Sequence, residues 1–107
     1  MVNKEPFGRL PDGREATPYV LAGPGITVGV VDLGAAVQSV WVPDAHGVWA
    51  DVALGYGSAA GYADDGVLMG ATVGPIANRV AGAVLEVAGR TCRLAANEGP
   101  NCNHTDT

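Results

Sequence analysis

Glycine and proline recur so densely along this chain, 16 and 7 of its 107 residues, that long helices find no room and the segments between them are short. A glycine in a helix interior costs about 1 kcal/mol and a proline about 3, whereas short valine-rich runs bounded by turn residues suit strands. The expected class is therefore mainly β. "EATPYVLA", Glu15 to Ala22, is a first strand, and Pro18 within it has no N–H for a ladder, so it belongs at an edge or a bulge. "AGPG" then turns the chain. "ITVGVVDL" places Ile26, Val28 and Val30 on one face and Val31 and Leu33 on the other, the pattern of a strand covered on both sides by a second layer.

"VQSVWVP", Val37 to Pro43, is the next strand, and "PDAHG" after it is a turn in which His46 is a turn residue. "WADVALG" follows as a strand. Between Gly55 and Met69 no strand period survives, and the segment reads as a long loop with one helical turn; its adjacent Asp64 and Asp65 read as solvated. "AVLEVAGRTCRLA" is two short runs joined by "AGR", a β-hairpin in which Leu85 and Val87 alternate with Glu86, and Cys92 and Leu94 with Arg93. There is no internal repeat and no low-complexity linker, so residues 1–107 are read as one domain-sized piece, with 97–107 expected to fray as chain ends do.

With 48% hydrophobic and 16% charged residues the chain lies far from the signature of disorder. A net charge of -5 and no cluster of Lys or Arg exclude the counterion-releasing contacts of nucleic-acid binding and disfavour an acidic small-molecule substrate. The N-terminus "MVNKEPFGRLPDGRE" has charges and prolines where a signal peptide has its apolar core, and no segment approaches a membrane span. The expectation is a soluble, cytoplasmic protein with no membrane partner. Cys92 and Cys102 are then reduced thiols rather than a disulfide scaffold. Together with His104 they match no zinc module, and no metal site is expected.

One stretch stands apart. "GATVGPIANRVAG" puts Asn78 and Arg79 inside a run of small and apolar residues, in a chain with only 6 basic residues. Taken alone, the pair reads as a turn residue and a surface charge.

The order of several motifs changes that reading. "FGRLPDGREAT", "GITVGVVDLGAAVQSVWVPDAHGVWADVALGY", "GATVGPIANRV", "GRTCRLAANEGPN" and then His104 together resemble the aldose 1-epimerase (galactose mutarotase) family, from Phe7 to His104. The resemblance implies part of an antiparallel β-sandwich of large curved sheets, the galactose mutarotase-like supersandwich, truncated to its N-terminal portion. It implies no cofactor and an aldohexose as partner. The family signature G-R-x-A-N-R falls on "GPIANR", so Asn78 and Arg79 match its substrate-contacting pair, while Pro75 stands where the first Arg would be. N-x-L-H-G-G falls on "NCNHTD", which puts His104 at the first active-site His, with Asn103 for Leu and Thr105-Asp106 for the two glycines. A match that decays after Asn101 is what a reading-frame change produces, and the downstream nucleotides read in all frames would test it.

Mutarotation needs a base for the proton of the anomeric hydroxyl and an acid for the ring oxygen; the ring opens, rotates about C1–C2 and recloses on the other face. In the family these roles belong to a Glu and a second His with no counterpart here. What the resemblance leaves to Asn78, Arg79 and His104 is binding and orientation, for which a rigid donor fork, an amide and an imidazole are suited. Trp41, Trp49, Tyr56 and Tyr62 offer aromatic faces to a sugar, but Trp41 and Trp49 read as packing residues. Three functions stay open: an epimerase-family protein inactive alone, a non-catalytic carbohydrate-binding module, and one half of a split enzyme completed by a separately encoded C-terminal portion.

Overall fold

A computed structural model describes residues 7–64 and 66–105. The chain forms two compact units, Met1–Thr72 and Val73–Thr107, and the regular structure of both is mainly antiparallel β, as the sequence predicts.

The first unit holds a four-stranded sheet in the order β3 (Pro18–Gly23), β4 (Ile26–Val31), β5 (Ala36–Pro43) and β6 (Trp49–Asp51). Pro24 and Gly25 join β3 to β4, with Gly25 at φ 76, a conformation that glycine adopts without a Cβ penalty. Pro18 lies on β3, an edge strand, where its missing N–H leaves no gap in a ladder. The strand expected over Glu15 to Ala22 is broken in two. Thr17 N donates to Asp32 Oδ1 at 2.7 Å and Asp32 N donates to Thr17 O at 3.1 Å. This exchange separates β3 from β2 (Glu15–Ala16), which pairs instead with β1 (Gly8–Arg9). β6 is likewise shorter than "WADVALG" suggests, because the Asp51 side chain accepts from Val40 N at 2.8 Å and from Ala53 N at 3.1 Å. In the turn before it, Asp44 Oδ1 accepts from His46 N and Val48 N, so His46 is a turn residue as read.

The two faces of this sheet differ in composition. Directly opposed residues share a face, so the rows Tyr19–Val30–Val37 and Leu21–Val28–Val40 lie together on one side. Ile26, Val42 and Ala50 extend that side, and a bulge between Gly29 and Val30 keeps Val37 on it by letting β5 carry one residue more. The other side mixes Thr27, Ser39 and Asp51 with Val31, Trp41 and Trp49. The unit's buried core lies on this mixed side: Val31 and its partner Ala36 are buried, and Val31 packs with Ala16 and Ala59 beneath Phe7, Leu10, Leu33 and Tyr62. Ala59 begins α1 (Ala59–Ala63), the helical turn expected in the long loop; Ser58 caps it by accepting from Gly61 N. Asp64 lies at its end, and Asp65 lies outside the described residues. Trp41 and Trp49 correct the packing expectation, since they are 42% and 46% exposed. They sit toward the β5–β6 margin, where a three-residue edge strand brings too little chain to cover an indole.

In the second unit β7 (Arg79–Val80) pairs with β10 (Cys102–Asn103), and the hairpin β8 (Val84–Val87) and β9 (Arg90–Arg93) lies between them in sequence. Ala88 and Gly89 make its two-residue turn with φ 48 and 73, both positive as the tight right-twisting turn demands, and Arg90 is already paired with Val87. Leu85 faces Cys92 as read from the alternation, and both are half-buried, while Val87 at the tip is exposed.

Candidate functional site

Asn78, Arg79 and His104 come together in the second unit through backbone structure. Asn78 takes φ 67, a left-handed conformation to which Asn is better suited than most residues because its short amide can bond locally. It does so here: Asn78 Oδ1 accepts from Arg79 N at 2.9 Å. The same turn presents Asn78 to the segment that follows β10. Its N–H donates to His104 Nδ1 at 2.8 Å, and its carbonyl accepts from His104 N at 2.9 Å. A ring nitrogen that accepts from an amide carries no proton, so His104 in this arrangement is the neutral tautomer with its proton on Nε2.

Arg79 follows at the start of β7, directly opposite Asn103 of β10. Its guanidinium forks onto Glu98, with Nε to Oε2 at 2.6 Å and Nη2 to Oε1 at 2.9 Å. Such a bidentate pair fixes the orientation of a planar donor as well as its position. Glu98's hydrogen bonds to Arg79, with the charge of the guanidinium adding, hold its carboxyl below the usual glutamate range; the same bonds raise Arg79 further above its already high value. Both side chains are solvated, so the pair is a device of geometry more than of stability.

Residues 97–105, where a frayed tail is expected, carry a dense set of hydrogen bonds. Asn97 Nδ2 donates to the carbonyls of Asn103 and His104, both at 3.1 Å, and Asn97 Oδ1 accepts from Asn103 N at 2.7 Å. Glu98 and Asn101 exchange backbone bonds at 3.0 Å around a turn whose Gly99 has φ 58. Thr105 N donates to Ile76 O, and Thr105 Oγ1 accepts from Ile76 N, each at 3.0 Å. Asp106 lies outside the described residues.

The sequence reading named Asn78, Arg79 and His104 but missed Glu98 and Asn97. Both stand in "AANEGPN", where turn-forming residues mask them. No local signal singles out the pairing, because Arg90 and Arg93 are both nearer to Glu98 in sequence than Arg79 is. Among the described residues, Asn78 Nδ2, Arg79 Nη1 and His104 Nε2 have no hydrogen-bond partner, so the cluster holds spare donors. Pro75, preceded by a cis peptide bond from Gly74, adds neither a charge nor an N–H. Cys92 and Cys102 are free thiols, with Cys102 Sγ donating to His104 O at 3.1 Å. Among the described residues no group of three His, Cys, Asp or Glu side chains is placed to hold a metal ion.

The first unit has an open groove of about 450 Å³ lined by Trp41, Tyr56, Gln38, Ser39 and Asp51. Of the four aromatic residues considered as sugar platforms, Trp41 and Tyr56 line it. Two of its polar side chains are engaged structurally, Gln38 Nε2 on Tyr56 O and Asp51 on the backbone of β5.

Comparison with known proteins bears on both units. The family model for aldose 1-epimerase matches residues 18–106. Galactose mutarotase of Bos taurus is 33% identical over 104 residues, covering 96% of this chain and 30% of the relative. Aldose 1-epimerase of Escherichia coli K12 is 32% identical over 108 residues, 97% of this chain and 30% of the relative. In structure, a galactose 1-epimerase from Lactobacillus acidophilus superposes with a TM-score of 0.70 at 25% identity, over 97% of this chain and 30% of that one. An aldose epimerase homologue from C. elegans gives 0.69 at 28% identity, over 83% and 28%. The chain thus spans about 30% of the length of the curated relatives it matches. With its antiparallel sheets, its ordered motifs and a family match over most of its length, the chain belongs to the aldose 1-epimerase family.

Proposed function

We propose that Asn78, Arg79 and His104 form one wall of an aldohexose site, where they hold and orient the sugar while a separate C-terminal portion supplies the acid and base of anomer interconversion. The observation that carries this reading is the reciprocal pair of hydrogen bonds between Asn78 and His104, residues 26 apart in sequence. It favours a built cluster over two unrelated polar residues. The spare donors on an amide, a guanidinium and an imidazole suit the oxygen atoms of sugar hydroxyls, and Glu98 limits the directions in which Arg79 can offer its own. Orientation without proton transfer does little for a ring-opening reaction. The chain alone therefore leaves mutarotation at its spontaneous rate. The substrate class, an aldose such as galactose, is carried over from the names of the relatives. A cytoplasmic location agrees with the two free thiols.

The test has two readings. Polarimetry of freshly dissolved α-D-galactose with the purified chain is expected to match buffer. Amide resonances of Asn78, Arg79 and His104 are expected to shift saturably as galactose is added, and Arg79→Ala to remove the effect. Acceleration that Arg79→Ala abolishes would mean that acid and base lie within this chain. Absence of any shift at the three residues would remove the sugar site.

A further inference from the structure

Both tryptophans of the chain stand on the mixed face of the four-stranded sheet. Directly opposed residues share a face, and so do residues two apart on one strand. Trp41 of β5 therefore has Thr27 of β4 opposite it on one side and Asp51 of β6 on the other, with Ser39 two residues before it on its own strand. Trp49, paired with Pro43, is its diagonal neighbour, at a spacing of about 7–8 Å. A soluble chain ordinarily packs most of an indole away; here one is 42% exposed and the other 46%. Around them the polar groups are fixed but not used up. Asp51 Oδ1 accepts from Val40 N at 2.8 Å and from Ala53 N at 3.1 Å, which locks the carboxylate and leaves Oδ2 free among the described residues. The Ser39 hydroxyl and the Trp41 indole N–H likewise have no partner among them. Buried Gly29, opposite Ser39, gives that hydroxyl its room, since a Cβ there would stand 2.5 Å from Ser39 Oγ. The groove lined by Trp41, Ser39, Asp51 and Tyr56, about 450 Å³, falls in the range of small-ligand clefts, roughly 300–1,000 Å³.

We propose that this face is a carbohydrate site independent of Asn78, Arg79 and His104, and that it takes a neutral oligosaccharide. A pyranose has an apolar face of C–H groups bordered by hydroxyls that both donate and accept. The indole of Trp41 matches the first, and the mixture of a carboxylate acceptor, a hydroxyl and an indole N–H matches the second. The same mixture disfavours other small ligands that stack on indoles. An anion would meet Asp51, and an organic cation, though drawn to a carboxylate and a π-face, would leave the donors of Ser39 and Trp41 unanswered. Trp49 offers a second platform beside the first, so the site suits adjoining sugar rings better than a single one. A carboxylate already held by backbone bonds lowers the ordering cost of binding.

Because Trp41 and Trp49 are the chain's two tryptophans, its indole emission reports on this face alone. The test follows that emission, and the heat of binding, as maltotriose or cellotriose is added to the full chain. A saturable response to at least one trisaccharide at millimolar concentration is expected. Trp41→Ala should weaken it about tenfold or more, and Trp41→Phe, which keeps a ring, by less. Asp51→Asn retains an oxygen for Val40 N and Ala53 N while placing an amide where the free oxygen stands, and should weaken binding severalfold with the fold intact by circular dichroism. No response to either trisaccharide overturns the proposal, as does binding of equal strength in Trp41→Ala. A saturable response to tetramethylammonium where neither trisaccharide gives one overturns it in favour of a cation. Dimerisation in sedimentation that Trp41→Ala abolishes overturns it in favour of a second copy of the chain, and a response lost in Arg79→Ala would trace the signal to the other cluster. Galactose shifts at Asn78, Arg79 and His104 without any trisaccharide response sink this site alone. The converse result sinks the Asn78 cluster alone.

Discussion

Gly70 opens the stretch that leads to Asn78 and Arg79, and replacing it with alanine tests the packing of the first unit directly. Its φ is 70, where an L-residue is disfavoured by about 1–2 kcal/mol. An added Cβ would also be driven into the carbonyl oxygen of Val37, with the carbonyl carbon 3.2 Å and the amide nitrogen 3.3 Å away. That neighbour is backbone of β5 and cannot rotate aside; Val37 N donates to Gly70 O at 2.8 Å, so relief of the clash would strain this bond. Overpacking of this kind costs about 1–3 kcal/mol. Against these stands about 0.4–1 kcal/mol gained because alanine restricts the unfolded chain. The net expected loss is roughly 1–4 kcal/mol, a large part of the ~5–15 kcal/mol typical of a domain. With a urea slope of about 1–3 kcal/mol/M, the midpoint should fall by roughly 0.3–4 M. Gly57→Ala is the control, because a Cβ there meets nothing within 4 Å and the backbone is not left-handed. Equal midpoints for Gly70→Ala and the unsubstituted chain, or equal losses for both variants, would refute the close approach of residue 70 to β5.

Three further outcomes follow from the same contacts. Val31→Ala removes two methyl groups from the most buried side chain of the first unit and should cost about 2 kcal/mol, read as a lower urea midpoint with unchanged slope. Glu98 has a depressed carboxyl in the folded chain, so its contribution is present above the unfolded glutamate value and disappears as pH falls through the lower folded value; Glu98→Gln should therefore lower a stability-against-pH curve in its neutral region, meet the unsubstituted chain at the acid end, and so flatten the acid limb. At His104 the working atom is Nδ1 as an acceptor, and φ is 55, so His104→Asn, which puts an amide oxygen near that atom and tolerates a left-handed backbone, should retain slow hydrogen exchange at Asn78 N–H, whereas His104→Ala should lose it.

The parts of the fold legible in the sequence were those set by local chemistry. Pro18 announced an edge, Pro24 and Gly25 a turn, and the alternation of Ile26, Val28 and Val30 a face, because each of these depends on a few neighbouring residues. What local chemistry does not encode was missed. The break at Thr17 arises from a side chain fifteen residues away, Asp32, competing for backbone groups. The bulge in β5 has no mark of its own in "AVQSV", yet without it Val37 would fall on the mixed face with Ser39, away from Tyr19 and Val30.

The candidate site divides along the same line. Asn78, Arg79 and His104 were found through resemblance to a family pattern, since nothing within "GPIANR" or "NCNHT" announces that the two segments meet. Glu98, which does the most to orient Arg79, was invisible because its partner lies nineteen residues away and its own surroundings read as a turn. The cluster is held by backbone bonds within residues 76–105, so galactose that binds there should raise the unfolding midpoint, because the ligand would bind the folded chain and not the unfolded one. A midpoint unmoved by galactose would leave Asn78, Arg79 and His104 a structural cluster without a sugar.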